Sequence, residues 1–175
     1  MKIAVLGHSQ TRYLNFKKTL EVKKFYKSGA NFRSIQESLQ FQKLVEFKPD
    51  LLFLFLGSND ITEESQVNKI FDNYNELKAE IEEKIKPKRG CYLLDFEKRT
   101  LNNKYVSKNT YRKIRNALIK KIKKLDKDNF IPFRPFSGLI ETDIGPDGIH
   151  INNKGATIIV ENIEQKIAQI KDGGR

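Results

Sequence analysis

A run without a single polar side chain, LLFLFLG at residues 51–57, constrains the fold of this chain more than any other feature. A strand with one solvent-facing side alternates apolar and polar residues, whereas a strand covered on both faces is apolar throughout. The run therefore predicts the central strand of a parallel sheet that has helices packed on both of its faces.

Strand-like and helix-like segments alternate along the rest of the chain, which predicts an α/β layer fold with a mainly parallel sheet. Leu39 is predicted to face the core, and Leu125 to belong to the apolar face of its helix. The last predicted strand contains two prolines, which favour the edge of a sheet. The other predicted strands are residues 2–7, 21–27, 91–96 and 130–136, and the predicted helices are residues 33–47, 67–85, 110–126 and 154–171.

Length and cysteine content limit the number of domains and the cellular locations expected for this chain. The 175 residues suit one domain, assigned to residues 1–171 and followed by a short tail, 172–175. No apolar run approaches the roughly 20 residues that span a bilayer, and the N-terminal apolar run is too short for a signal peptide. The single cysteine, Cys91, is expected to be a core thiol, and it favours a reducing, cytoplasmic location. One Cys and two His argue against a structural zinc site.

The charge balance favours anionic partners. The chain has 33 Lys and Arg against 22 Asp and Glu, a formal net charge of +11. Helix 110–126 is predicted to be especially basic on its outer face, which is either a solvated surface or a contact for nucleic acid or an acidic membrane. No phosphate-loop or dinucleotide-binding glycine motif is present. The basic residues are Arg112, Lys113, Arg115, Lys120, Lys121, Lys123, Lys124 and Lys127.

Polar residues follow three of the predicted strands, and a fourth polar cluster precedes the last helix. The three segments are Gly7-His8-Ser9, Ser28-Gly29-Ala30-Asn31 and Gly57-Ser58-Asn59-Asp60, and the fourth cluster is DGIH at 147–150. Ligands of open parallel sheets bind at the carboxyl ends of the strands. A fold of this type can bring all four clusters to one edge.

These residue types supply the parts needed for acyl transfer. A serine becomes a strong nucleophile when a base takes its proton, and His150 can be the base for Ser9. Asp147 can fix the ring tautomer from the other nitrogen. The amides of Ser9 and Gly29 and the side-chain amide of Asn59 can donate to an oxyanion.

In this order the residues resemble the SGNH (GDSL-like) hydrolase superfamily over nearly the whole chain. GHS is similar to the first sequence block of that family, Gly29 to the second, GSND to the third and DGIH to the fifth. The segments FYKSGANFRSI and DGIHINNKG are especially similar to the small esterase-like domains of some retroelements and related intracellular proteins.

The resemblance implies a three-layer α/β/α sandwich with five parallel strands in the order 2-1-3-4-5. It also implies ester hydrolysis without a metal or other cofactor. In that family pattern Ser9 is the nucleophile, Asp147 and His150 complete the triad, and Gly29 and Asn59 complete the oxyanion hole.

His8 is a departure from the family pattern, whose first block usually reads Gly-Asp-Ser. The missing acid usually supports the loop, so the departure predicts an altered rate or pH dependence and not loss of activity. His8 is adjacent to Ser9 in a tight turn and is a poorer candidate for the base than His150.

Structural interpretations of the same residues compete with these roles. Ser9 alone is a candidate helix cap, and Gly29 a turn residue with positive φ. Asn59-Asp60 and Asp147-Gly148 are also turn signals.

The sequence as a whole predicts a serine esterase, with small acyl groups such as acetyl slightly favoured. The alternatives are a weakly active or inactive module of the same fold that binds nucleic acid or anionic lipid, and a scaffold for protein partners. The sequence leaves the oligomeric state open.

Overall fold

The computed structural model describes residues 1–96, 105–132 and 143–173, in which five strands form one parallel sheet. The strand order is β2-β1-β3-β4-β5, as the resemblance implied. The strands are β1 (Ile3–Gly7), β2 (Val22–Tyr26), β3 (Leu51–Phe55), β4 (Cys91–Leu94) and β5 (Phe130–Ile131). The helices are α1 (Phe32–Gln36), α2 (Leu39–Phe47), α3 (Val67–Lys84), α4 (Lys108–Leu125) and α5 (Asn153–Asp172).

β3 is the central strand, and all of its residues are buried, as its unbroken apolar sequence predicted. Its alternate side chains enter two separate cores. Leu52 and Leu54 pack in the core covered by α1 to α4, whereas Leu51, Phe53 and Phe55 pack against α5. The sheet is therefore the middle layer of an α/β/α sandwich.

The predicted helix 33–47 is wrong in one respect, because two helices occupy this segment. Ser38 separates them: its hydroxyl donates to the Ile35 carbonyl at 2.6 Å and accepts from the Phe41 amide at 3.2 Å, which caps the start of α2. Because α2 begins separately at Leu39, its inward-facing side chains differ from those of one continuous helix. Leu39, predicted to be in the core, is 60% exposed, and Phe41 is buried instead.

Two predictions near α4 also need correction. Leu125, assigned to the apolar face, is the last residue of the helix and is 69% exposed. Arg115, assigned to the outer face, is buried, and it pairs with Asp95 just after β4. The last predicted strand begins at Phe130 as expected, but residues 133–136 of that prediction lie outside the described residues.

Cys91 is a core thiol, as expected. Burial raises the pKa of this thiol to about 12, so it is protonated at neutral pH. Among the helices that the structure describes, none combines the length and the apolar composition that crossing a membrane requires.

Candidate active site

Parallel register brings the first three polar loops together. Gly7, the last residue of β1, is the register partner of both Phe55 in β3 and Tyr26 in β2. The amide of His8 donates to the Phe55 carbonyl at 3.2 Å, and the amide of Lys27 donates to the Gly7 carbonyl at 3.1 Å. The loops that follow β1, β2 and β3 therefore begin side by side at the carboxyl edge of the sheet.

One narrow cleft at this edge is lined by predicted site residues from three loops. Ser9 comes from the loop after β1, Asn59 from the loop after β3, and His150 from the segment before α5. The volume of the cleft is about 20 Å³, roughly the space of one water molecule. The described residues that line it are His8, Ser9, Gln10, Ser58, Asn59, Ile149 and His150.

Asp147 holds the His150 side chain in place. Its Oδ2 lies 2.5 Å from His150 Nδ1, and its Oδ1 accepts from the amides of Ile149 and His150 at 3.0 and 2.9 Å. Burial alone would raise the pKa of Asp147, but these hydrogen bonds and the nearby imidazole charge outweigh it and lower the pKa to about 2. The carboxylate is ionised at neutral pH, so it orients the ring and leaves Nε2 available for proton transfer.

Asn59 is held by the loop that contains Gly29. Its Nδ2 donates to the Ala30 carbonyl at 3.0 Å, which uses one of the two N–H bonds of the amide. Gly29 precedes Ala30 and occupies the third position of a turn closed by a hydrogen bond from the Ala30 amide to the Lys27 carbonyl. Its φ of +68° is the type II turn geometry that favours glycine. Gly29 is exposed and is not among the described residues that line the cleft.

Asp60 fixes the same two loops to each other. Both of its carboxylate oxygens lie within 3.2 Å of the Phe32 amide at the start of α1. Burial raises the pKa of Asp60 to about 7, although the hydrogen bonds from the backbone oppose this effect. This contact supports the structural role that turn chemistry suggested for Asp60.

His8 is a buried part of the loop and not a second solvent-facing base. Its ring is 1% exposed and packs on Phe55, with 4.7 Å between the ring centroids. Its Nδ1 accepts from the Gln10 amide at 3.4 Å, and its Nε2 lies 3.4 Å from Ser58 Oγ. His8 therefore caps the 3-10 turn Ser9–Tyr13, so the cap that sequence alone suggested for Ser9 belongs to its neighbour.

Sequence reasoning missed Gln10 and had no role for Ser58. The Oε1 of Gln10 accepts a hydrogen bond of 2.7 Å from the Ile151 amide, so it joins the Ser9 turn to the residue after His150. Ser58 lies inside the GSND motif, and its Oγ contacts Nε2 of His8. No spacing rule connects Gln10 to Ile151, because the two residues lie at opposite ends of the chain.

Comparison with known proteins gives an independent result. The GDSL-like lipase/acylhydrolase family model matches residues 7–158. No curated protein sequence matches the chain. Among solved structures, a GDSL-like lipase from Bacteroides thetaiotaomicron is similar, with 21% identity, a TM-score of 0.75, and coverage of 96% of this chain and 88% of that chain.

Two further solved structures are similar over almost their whole length. A psychrotrophic esterase from Pseudoalteromonas has 15% identity, a TM-score of 0.69, and 98% coverage of both chains. An acetyl xylan esterase has 15% identity, a TM-score of 0.70, and coverage of 95% of this chain and 100% of that chain. At these identities the likeness shows a shared fold.

Proposed function

The chain belongs to the GDSL-like lipase/acylhydrolase family, and we propose that it hydrolyses carboxylic esters with Ser9, His150 and Asp147 as a catalytic triad. One observation carries the proposal. Ser9 and His150 come from opposite ends of the sequence and line the same cleft, and Asp147 Oδ2 lies 2.5 Å from His150 Nδ1, which leaves Nε2 for the serine.

In the proposed first step, Ser9 Oγ attacks the ester carbonyl while His150 Nε2 takes the hydroxyl proton. Asp147 stabilises the imidazolium that forms. The tetrahedral intermediate then loses the alcohol, which receives the proton from His150, and the acyl group stays on Ser9. A water molecule deprotonated by His150 attacks this acyl-enzyme and releases the acid with Ser9 restored.

The proposed oxyanion donors are the amides of Ser9 and Gly29 and the side chain of Asn59. The bond from Asn59 to the Ala30 carbonyl supports this role, because it fixes the amide plane and leaves a second N–H for the substrate. Donors that are held in place before reaction need no reorganisation when negative charge develops.

A small acyl group such as acetyl is the proposed preference. Among the described residues, the cleft of about 20 Å³ offers no enclosed space for a long acyl chain between Ser9 and His150. An acetyl xylan esterase among the structural neighbours is consistent with this substrate class.

The test combines p-nitrophenyl esters of increasing acyl length with a fluorophosphonate probe that labels activated serines. We expect the acetyl ester to give the highest kcat/KM, and both turnover and labelling to disappear in Ser9→Ala and His150→Ala. Ser58→Ala is the matched control, because it removes the other serine hydroxyl of the cleft. Labelling that survives in Ser9→Ala but not in Ser58→Ala would assign the nucleophile to Ser58 and overturn the proposal.

A second candidate function is anion binding by the basic helix, in a protein whose esterase activity is weak or absent. The supporting observation is that α4 contains eight Lys and Arg residues and no Asp or Glu. Nucleic acid and anionic lipid are the two partner classes. A cytoplasmic location also remains a proposal, supported by the free, buried thiol of Cys91.

A further inference from the structure

Five basic residues of α4 and Lys127 just after it are exposed, and we call this group the α4 basic face. α3, which packs beside α4, carries five acidic residues, so within this pair of helices the excess of positive charge lies on α4. Among the described residues, no carboxylate forms an ion pair with any member of this face. Its members are Arg112, Lys113, Lys120, Lys123, Lys124 and Lys127.

The α4 basic face borders a concave recess with a volume of about 510 Å³. The floor is the buried pair Arg115–Asp95, whose Nη2 and Oδ1 atoms are 2.7 Å apart. Because Arg115 neutralises Asp95, the lysines on the wall, Lys120 and Lys123, give the recess its net positive charge. Asn116, also on the wall, adds an amide that can bond to an oxygen.

The packing of the Arg115 side chain makes the floor rigid. Its Nε donates to the Phe96 carbonyl at 3.0 Å, and the side chain of Asp95 also accepts from the Phe96 amide at 2.7 Å. A recess with a fixed floor and charged walls concentrates positive potential, which favours an anion that can enter it.

Shape decides between the two classes of anionic partner. A bilayer presents separate head groups on a broad surface, whereas a single phosphodiester chain can place one phosphate in the recess and continue along the helix. Most large apolar residues of α4 are buried in the core; Ile119 is half-buried beside the recess, and Leu125 at the last position is exposed. The helix therefore offers no long apolar stripe for insertion into lipid. The buried apolar residues are Tyr111, Ile114, Leu118 and Ile122.

We propose that the recess and the α4 basic face bind single-stranded nucleic acid, with a backbone phosphate between Lys120 and Lys123. The inference rests on the anion-binding part of the second candidate function and holds whether or not the protein hydrolyses esters, because none of these residues lines the cleft of Ser9 and His150. From Arg112 to Lys124 the α4 basic face is about 18 Å long at the helical rise, enough for several phosphates.

The experiment measures binding of fluorescein-labelled 20-nucleotide RNA and DNA single strands by anisotropy from 50 to 300 mM NaCl. The same titration with vesicles containing phosphatidylserine tests the lipid alternative. The double variant Lys120→Ala/Lys123→Ala removes two contacts from the recess. Lys18→Ala/Lys43→Ala is the matched control, since it removes equal charge from exposed positions outside α4.

We expect the recess variant to weaken oligonucleotide binding at least tenfold at 50 mM NaCl. We also expect it to reduce the slope of log K against log salt by about 1.4, at about 0.7 for each lost contact with a single strand. The control is expected to change affinity less than threefold, and both variants to keep wild-type ester hydrolysis.

Three outcomes would overturn the inference: no oligonucleotide binding by the wild type, equal weakening in both double variants, or binding to vesicles in preference to oligonucleotides. The parallel ester assay distinguishes a failure of the nucleic-acid proposal from a failure of the hydrolase proposal, because the two activities use different surfaces.

Discussion

Gln10 Oε1 accepts a 2.7 Å hydrogen bond from the backbone amide of Ile151, which joins the turn that carries Ser9 to the segment that carries His150. Both Gln10 and Ile151 are buried. The proposed nucleophile and base lie on loops from opposite ends of the chain, so this bond sets their relative position directly. If Ser9 and His150 are loosely aligned, the chemical step is slower, because the near-attack geometry is then sampled less often.

Removing the Gln10 acceptor is expected to lower both stability and activity. Gln10→Ala leaves the buried Ile151 amide unsatisfied, which costs about 1–3 kcal/mol. We expect kcat to fall at least tenfold with a smaller change in KM, because alignment of Ser9 and His150 affects the reaction more than binding. Urea unfolding and p-nitrophenyl acetate kinetics measure the two effects.

Gln10→Glu is the control for this prediction, since it keeps an acceptor oxygen at nearly the same place. It should retain more activity than Gln10→Ala. Wild-type kcat in folded Gln10→Ala would show that the Ile151 contact does not position His150.

Asp147 predicts a specific acid dependence of stability. Its pKa in the folded protein is lowered to about 2 from an ordinary value near 3.8, so the folded state favours the ionised form. The stabilisation is therefore complete above about pH 4 and is lost as the pH falls toward 2. Because the Asp147 and His150 side chains are 48% and 52% exposed, we expect a contribution below about 1 kcal/mol.

The measurement compares the free energy of unfolding of the wild type and Asp147→Asn at several pH values between 2 and 6. The wild type should be the more stable at pH 6, and the difference should vanish near pH 2. A difference that stays constant over this range would show that the Asp147 charge is not its source.

The raised pKa of Asp60 predicts that the stability of the protein changes with pH in the opposite direction. Burial raises its pKa to about 7, so the folded state binds the proton more tightly than the unfolded state, and stability falls as the pH rises from about 4 to 7. Asp60→Asn keeps an oxygen that can accept from the Phe32 amide but cannot titrate. We expect the stability of this variant to change less than that of the wild type over the same range, as measured by urea unfolding. A parallel pH dependence in both proteins would contradict this assignment.

Two glycines at the site are expected to differ in their tolerance of alanine. Both have positive φ, +68° at Gly29 and +109° at Gly57. A Cβ at Gly29 would have no atom within 4 Å, so Gly29→Ala carries only the backbone cost, about 1–2 kcal/mol. A Cβ at Gly57 would lie 2.3 Å from the Phe96 ring, which adds a steric cost in the core.

Thermal unfolding of the two alanine variants tests this contrast. Gly57→Ala should have the lower Tm. Gly29→Ala should remain folded with its loss mainly in kcat, because strain in the turn displaces the backbone amide at position 29, a proposed oxyanion donor. Equal Tm values would contradict the steric argument for Gly57.

The sequence predicted the sheet well because burial on two faces leaves a clear signal. β3 is apolar at every position, and its alternating residues fill two cores. The apolar run in the sequence therefore follows directly from burial on both faces of the sheet. The break between α1 and α2 was missed because it depends on the Ser38 hydroxyl, and many serines lie inside helices without capping one.

At the candidate site, sequence spacing was sufficient where the relevant residues are close in the chain. Asp147 and His150 are three residues apart, and their contact has the short-range geometry that the motif suggested. The link from Gln10 to Ile151 and the inward turn of Arg115 are set by packing between distant segments. Neither has a local pattern in the sequence.

His8 provides the last prediction, because its contacts explain how the loop works without the acid that usually precedes the serine. The Nδ1 atom of His8 accepts from the Gln10 amide, and a carboxylate at the same position can also cap a helical turn. His8→Asp therefore keeps the cap of the Ser9–Tyr13 turn but loses the ring that packs on Phe55. His8→Ala loses both.

We expect kcat/KM of His8→Asp to stay within about tenfold of the wild type, a barrier change of at most about 1.4 kcal/mol, because the proposed reacting atoms belong to Ser9 and His150. His8→Ala should be less stable by about 2–4 kcal/mol, since it empties a buried site, and it should keep more activity than Ser9→Ala. Ester kinetics with parallel urea unfolding distinguish loss of fold from loss of chemistry. If folded His8→Ala is as inactive as Ser9→Ala, His8 takes part in proton transfer and His150 is not the only base.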